Sequence, residues 1–313
     1  MGAFLAVAAP GARPVRAQNF PSRPVRLLVG FAAGGGATII SRIMADWWGH
    51  RLRQAILIEN RPGASGNLAV QDAIKASPDG HTLLLYPASA VANRAFEKQP
   101  FDVLRDLTPV CGLIEFPLVL VVPTALPVLS IPELISYAVS RPGVLNIASF
   151  GVATSSHVAG ELFQMMTGTR MLHVPYPGEA AALVALVANR VHLMFSVLTG
   201  CLEHIKAGSL RAIAVAGTTR DKALPDIPTV AETVPGYEAN SWLGLAAPNG
   251  TPPDVVETFD RVVAEGLRNE ELLGKLNQVA ARPLLLRTEQ FKKFTIAEAQ
   301  KWEKLASLLG SRK

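Results

Sequence analysis

Two stretches of the chain combine residue types and spacing that could do chemistry, and both are loops rich in glycine or hydroxyls. The first is VGFAAGGGATIISR, Val29 to Arg42, where Gly34, Gly35 and Gly36 separate an apolar run from residues at helical spacing. The second is GVATSSHVAGE, Gly151 to Glu161, where Thr154, Ser155 and Ser156 precede another helical pattern. Main-chain amides free of side-chain bulk, just ahead of a helix, suit a negative group. The first N–H groups of a helix lack partners, and its dipole favours an anion. A carboxylate is the group expected there. One such half-site in each of two lobes would hold a small acid between them. Thr38 has two readings at this level, a helix cap or a hydroxyl turned toward ligand.

Rival chemistries fit less well. A phosphate-binding P-loop needs Lys followed by Ser or Thr after the glycines, whereas Gly36 is followed by Ala37, Thr38 and Ile39. A dinucleotide fingerprint has Gly34 and Gly36 in its favour, with Glu59 ending the next strand near the distance of a ribose contact. Ile39 stands at its third glycine position, however, and a branched side chain there opposes close helix–strand packing. A dinucleotide-binding α/β enzyme is therefore the alternative reading. No G-x-S-x-G elbow is present. Acidic residues are sparse around the loops, which argues against paired-carboxylate acid–base chemistry. His157, at a helix start, reads as structural, and His173, His192 and His204 lie in separate segments without metal-ligand spacing. The expectation is a binding protein with no catalytic residue, metal or cofactor.

The elements that must position these loops follow from periodicity. VRLLVGF (Val25 to Phe31), AILIEN and HTLLLYP read as buried strands, separated by helices carrying Ile39, Ile43, Trp47 and Asn67 to Ala76. Strands alternating with helices mean right-handed βαβ units and a parallel sheet. LTPVCGLIEFPLVLVVP reads as one long strand able to leave one lobe and enter another. SIPELISYAVSRPG is a helix entered at Ser130, with Pro132 in its first turn. A second strand–loop–helix series runs from VLNIAS to LRAIAVAG. A proline-rich connector then leads to the strand LGLAAP and to helices that continue to the C-terminus and pack back on the first lobe. Lobe 1 is expected at 18–121 with 241–313, and lobe 2 at 122–240.

Composition sets the remaining bounds. At 313 residues with 49% hydrophobic and 18% charged residues, the chain is long and apolar enough for two globular lobes. Its net charge of +5 is spread out, without the basic runs of a nucleic-acid binder. The longest apolar tract is broken by Glu115 and by prolines, so no transmembrane helix is expected. Residues 1–17 read as a signal peptide or its remnant, although Arg13 and Arg16 follow the apolar stretch instead of preceding it. Cys111 and Cys201 read as buried apolar residues, with a single disulfide the alternative in an exported protein.

The motifs AAGGGATIISR, ILIENRPGASG, SPDGHTLLL, HVPYPG, HIKAGSLRAIAV, LPDIPTVAE and SWLGLAAPNGTPPDVV occur in this order. In that order they resemble the Bug-type extracytoplasmic solute receptors, the binding subunits of tripartite tricarboxylate transporters. The resemblance runs from about Phe20 to the C-terminus. It implies a type II periplasmic binding-protein architecture, two α/β lobes joined by two crossing segments. It further implies a soluble periplasmic receptor, working as a monomer, that closes on a small organic acid and hands it to membrane subunits of a tripartite transporter. A receptor that reports solute to a signalling partner is an alternative role. Carried over residue by residue, the ligand contacts are Ala33, Gly34, Gly35, Gly36, Ala37 and Thr38, with Ala88 and Ser89 after the third strand. From the second lobe they are Thr154, Ser155, Ser156, Tyr176 and Ser196. Four departures stand out: Thr38, His192 and Ser196 occupy positions where relatives usually have Asp, and Pro177 replaces a basic residue. Without an aspartate at position 38 to pair with an ammonium group, a non-amino acid is the expected ligand.

Overall fold

The computed structural model describes residues 20–96 and 98–310. The leader expected at 1–17 lies outside the described residues. The chain opens with β1 (Val25–Val29), α1 (Gly36–Leu52), β2 (Ile56–Asn60), α2 (Asn67–Lys75), β3 (Thr82–Pro87), α3 (Ala88–Phe96) and the one-turn α4 (Val103–Asp106). β1 and β3 are buried along almost their whole length because helices cover the sheet, which is why they read as apolar runs without alternation. α1 turns Ile40, Met44 and Trp48 into the core at successive i+4 steps. β4 (Leu107–Pro123) then carries the chain out of this half.

The second half contains α5 (Ile131–Ser140), β5 (Asn146–Ser149), α6 (Ser155–Thr167), β6 (Leu172–Pro175), α7 (Glu179–Val187), β7 (Leu193–Val197), α8 (Leu198–Lys206) and β8 (Leu210–Val215). Ser130 caps α5 by accepting from the Glu133 N–H, and Pro132 stands in the first turn as expected. α6 starts on a Thr154 cap and stops at Gly168, whose left-handed φ of 69° suits glycine. The chain returns through β9 (Asn240–Pro248), α9 (Pro253–Gly266), α10 (Glu270–Gln278), β10 (Arg282–Leu286) and α11 (Thr288–Gly310).

The strands join in the order β2-β1-β3-β9-β4-β7-β5-β6, with β10 and β8 also paired to β4. β4 is the spine. Its N-terminal part pairs with β9 as far as Pro117 opposite Asn240, and from Leu118 opposite Val197 it pairs with β7 and then β8. The parallel arrangement holds for β2-β1-β3 and for β7-β5-β6, but β9 and β4 run antiparallel to their neighbours. A strand returning from the second half enters the sheet from the opposite end, which reverses its direction. Two elements depart from the sequence reading. β10 is a strand within a region read as all helix, and α3 is a helix that the sequence reading did not assign. α11 packs back on the first half, with Phe291 edge-on to both Tyr86 and Trp242. Cys111 and Cys201 are both free and buried, so they serve as apolar filling. Among the described residues, no helix is long and apolar enough to cross a membrane.

Candidate functional site

The glycine loop is held from below. Asn60, at the end of β2, donates through Nδ2 to the Phe31 carbonyl at 2.7 Å and to Thr38 Oγ1 at 3.1 Å. Thr38 Oγ1 in turn donates to the Ala32 carbonyl at 3.4 Å. Thr38 is 1% exposed, so it fits neither reading offered by the sequence: it caps no N–H and braces the loop from behind. Removing this brace with Asn60→Ala is expected to weaken ligand binding about three- to tenfold, since a lost hydrogen bond is worth roughly 1 kcal/mol. Titration calorimetry on the variant checks this. An unchanged affinity would show that the loop holds its shape alone.

At its far end the loop opens α1 on Gly35 and Gly36, and here the two halves of the molecule meet. A cleft of about 480 Å³, its open mouth included, is lined by Gly35 at the cap of α1, Gly36 and Ala37 from α1, Ala88 and Ser89 from α3, and Ser155 from α6. Six of the residues expected from sequence thus share one cavity. Ser155 Oγ donates to Ser241 Oγ of β9 at 2.9 Å, joining the halves across it. The other expected residues lie elsewhere. Ala33 and Gly34 belong to the loop behind, and Thr154 caps α6 while donating to the Gly151 carbonyl at 2.7 Å. Ser156 is fully buried, and its hydroxyl has no hydrogen-bond partner. Tyr176 faces a separate groove between the Pro62–Gly66 loop and the Gly151 loop.

Sequence reasoning passed over most of the cleft's walls, among them Phe31, Phe116, Phe150, Trp242, Ser241 and Glu179. Phe31 and Phe150 meet edge to face across the halves, ring centroids 6.2 Å apart. Glu179 is the decisive omission. This first residue of α7 is 7% exposed and reaches out of the second half to accept from the Gly36 N–H of α1 at 2.9 Å. Its other oxygen accepts from Ser196 Oγ and the Val197 N–H, both at 2.8 Å. Ser196 therefore meets Glu179 and does not line the cleft. The carboxylate lies between the N-termini of α1 and α8, where both helix dipoles favour it. Burial nonetheless raises its pKa, opposed by the Gly36, Ser196 and Val197 hydrogen bonds. Sequence reasoning sought a cleft carboxylate at position 38 alone and passed over Glu179. The acid is absent at Thr38 but arrives from Glu179, and a glutamate at the start of a helix looks in sequence like ordinary dipole compensation.

The histidines stay outside the cleft. His157 stacks on His173 with centroids 4.1 Å apart, and its Nδ1 accepts from the Ala153 N–H at 3.0 Å. His192 Nδ1 accepts from the Asn146 N–H at 2.9 Å, which makes it a structural ring. Burial first, and the neighbouring His173 second, lower the His157 pKa from 6.5 to about 4. The ring is therefore neutral when folded, whereas the unfolded chain takes up its proton near pH 6.5. Stability present above pH 6.5 should be lost as pH falls toward 4, by up to ~3 kcal/mol. A thermal scan across pH 7 to 4 checks it, and His157→Gln should flatten the acid limb. Among the described residues no group of three His, Cys, Asp or Glu side chains is placed to hold a metal ion. Glu59, the candidate ribose ligand of a dinucleotide site, is engaged by Arg26 through two bonds of 2.7 and 2.9 Å.

The model of the tripartite tricarboxylate transporter family receptor matches residues 40–310. The chain belongs to the tripartite tricarboxylate transporter receptor family. Protein BugT of Bordetella pertussis is 33% identical over 306 residues, covering 96% of this chain and 94% of its own. A Rhodopseudomonas palustris protein solved with adipate superposes with a TM-score of 0.91 at 34% identity, covering 93% of this chain and 98% of its own. MatC from the same organism, solved with bound malate, superposes at 0.86 with 31% identity, covering 92% of this chain and all of its own (100%). As a receptor of this family the chain has the two-lobed periplasmic binding-protein architecture, with β4 and the segment entering β9 as its crossings. It is a solute-binding receptor of the tripartite tricarboxylate transporter type, and its relatives are solute receptors.

Proposed function

We propose that this receptor captures a small organic carboxylate in the cleft between its halves, in the periplasm, and delivers it to the membrane subunits of a tripartite transporter without chemical change. The observation that carries the reading is the convergence of the first turns of α1 and α6 on one cavity, bridged by Ser155 and Ser241. Helix N-termini and serine hydroxyls supply neutral donors to a carboxylate, while Phe31, Phe116, Phe150 and Trp242 supply an apolar wall for its carbon chain. The described residues of 18–121 with 241–313 move as one jaw and 122–240 as the other, and ligand favours the closed arrangement. In this reading the receptor works as a monomer, with its ligand contacts drawn from a single chain. The ligand contacts run through Gly35, Gly36, Ala37, Ala88, Ser89 and Ser155, with Ser241 and Trp242 added.

Titration calorimetry with a series of two- to eight-carbon acids tests this. One-to-one binding of at least one acid at micromolar affinity or tighter is the expected result, equivalent to about 8 kcal/mol. Failure of the whole series, with nucleotide absorbance retained in the purified protein, would restore the dinucleotide reading.

A further inference from the structure

Among the described residues lining the cleft Glu179 is the only ionisable one, and its carboxylate already occupies the meeting point of two helix N-termini. The seat is built for it. A Cβ added at Gly36 would stand 3.4 Å from Oε2, and one at Gly200 would overlap the carboxylate outright. The donors that an incoming anion would use at this end, the Gly36 and Val197 amides and the Ser196 hydroxyl, are therefore engaged within the protein. A carboxylate offers about two lone-pair sites on each oxygen. Among the described residues Oε1 accepts from both Ser196 and Val197, whereas Oε2 accepts from Gly36 alone. One acceptor position remains, on Oε2.

Resting on the carboxylate-receptor reading above, we infer that Glu179 is a specificity-determining residue: it takes the place of a second ligand carboxylate, so the receptor selects monocarboxylates whose far end carries a hydrogen-bond donor. A diacid short enough for this cavity would bring its second carboxylate against Glu179, where low dielectric and the absence of a cation among the described lining residues make like charges costly. A hydroxyl at the same end would instead donate to the free position on Oε2. The carboxylate of the ligand then falls to the serine end of the cleft, at Ser241, whose hydroxyl accepts from Ser155 and keeps its own proton, whereas Ser89 already donates to the Ser65 carbonyl at 3.1 Å.

Two six-carbon acids of equal length, 6-hydroxyhexanoate and adipate, distinguish the ends. Calorimetry on the wild-type protein should show 6-hydroxyhexanoate binding at least tenfold tighter than adipate. Glu179→Ser, which frees the amides and leaves room for a carboxylate, should bring the two acids within about twofold or reverse their order. Adipate binding the wild-type protein as tightly as 6-hydroxyhexanoate overturns the inference and leaves the receptor reading standing, and needs no variant to fold. An unchanged preference in a folded Glu179→Ser protein also overturns it. If no acid of the longer series binds the wild-type protein, the receptor reading fails first and takes this inference with it.

Discussion

Gly200→Ala is expected to lower the melting temperature by roughly 5–15 °C and to abolish tight binding of acid. The methyl group would fall on the Glu179 carboxylate, 2.8 Å from Oε1 and closer still to Oε2. Expelled from its seat, Glu179 leaves the Gly36 and Val197 amides and the Ser196 hydroxyl without their acceptor. An unsatisfied buried donor costs about 1–3 kcal/mol, and partial rescue by water brings the sum to about 2–4 kcal/mol. For a protein of this size each kcal/mol shifts the melting temperature by roughly 2–4 °C. The displaced carboxylate has the cleft to enter, which is why binding suffers with stability. Glu179→Ala in the same chain supplies the control. Once the carboxylate is gone the Gly200 methyl has nothing to strike, so the double variant should be no less stable than Glu179→Ala alone. Strictly additive losses in that cycle would show that Gly200 matters for another reason.

Gly244→Ala is expected to be the most damaging single methyl in the first half, at about 3–5 kcal/mol. Gly244 of β9 lies opposite Gly112 of β4, and together they leave a slot in the sheet. Phe291 of α11 fills that slot, fully buried, with its ring edge-on to Tyr86 and Trp242. A Cβ at Gly244 would stand 2.6 Å from Phe291 Cε1 and 2.9 Å from the Cys111 carbonyl, and it would overlap the end of the ring. The ring must leave, at a cost comparable to deleting a core phenylalanine. Trp242 packs on Phe291 and also lines the cleft, so acid affinity should fall with stability. Denaturant unfolding followed by tryptophan fluorescence measures the first, and calorimetry the second. Phe291→Ala in the Gly244→Ala background should recover part of the loss, because the methyl then enters vacated space. A loss below about 1 kcal/mol for Gly244→Ala would mean that α11 is anchored elsewhere.

These two positions also show where sequence reading reaches and where it stops. The strand from Leu107 to Pro123 stood out as apolar, too long for one sheet half and without helical period, and β4 has those bounds. The start of α5 at Ser130 and Pro132 was equally plain, because capping chemistry is local. The glycine loop announced a helix mouth suited to an anion, and the anion at its Gly36 amide is the chain's own Glu179. Glu179 stayed hidden because its partner Gly36 is 143 residues away, and nothing local to α7 points to that contact. β10 was hidden for a different reason. RPLLL is a short apolar run that suits a strand or a buried helical turn equally, and only its pairing with β4 decides. Thr38 illustrates a third limit, since a hydroxyl at a loop–helix junction can face ligand or brace the loop, and Asn60 settles which.

The central claim is that a small acid sits between the first turn of α1 and the serines of α6 and β9. A crystal structure grown with the tightest-binding acid of the calorimetric series measures this directly. The account predicts the acid inside the cleft, its carboxylate within hydrogen-bond distance of Ser155 or Ser241 and its far end directed at Glu179. An acid bound instead in the groove beside Tyr176, with the cleft closed to it, would contradict the account.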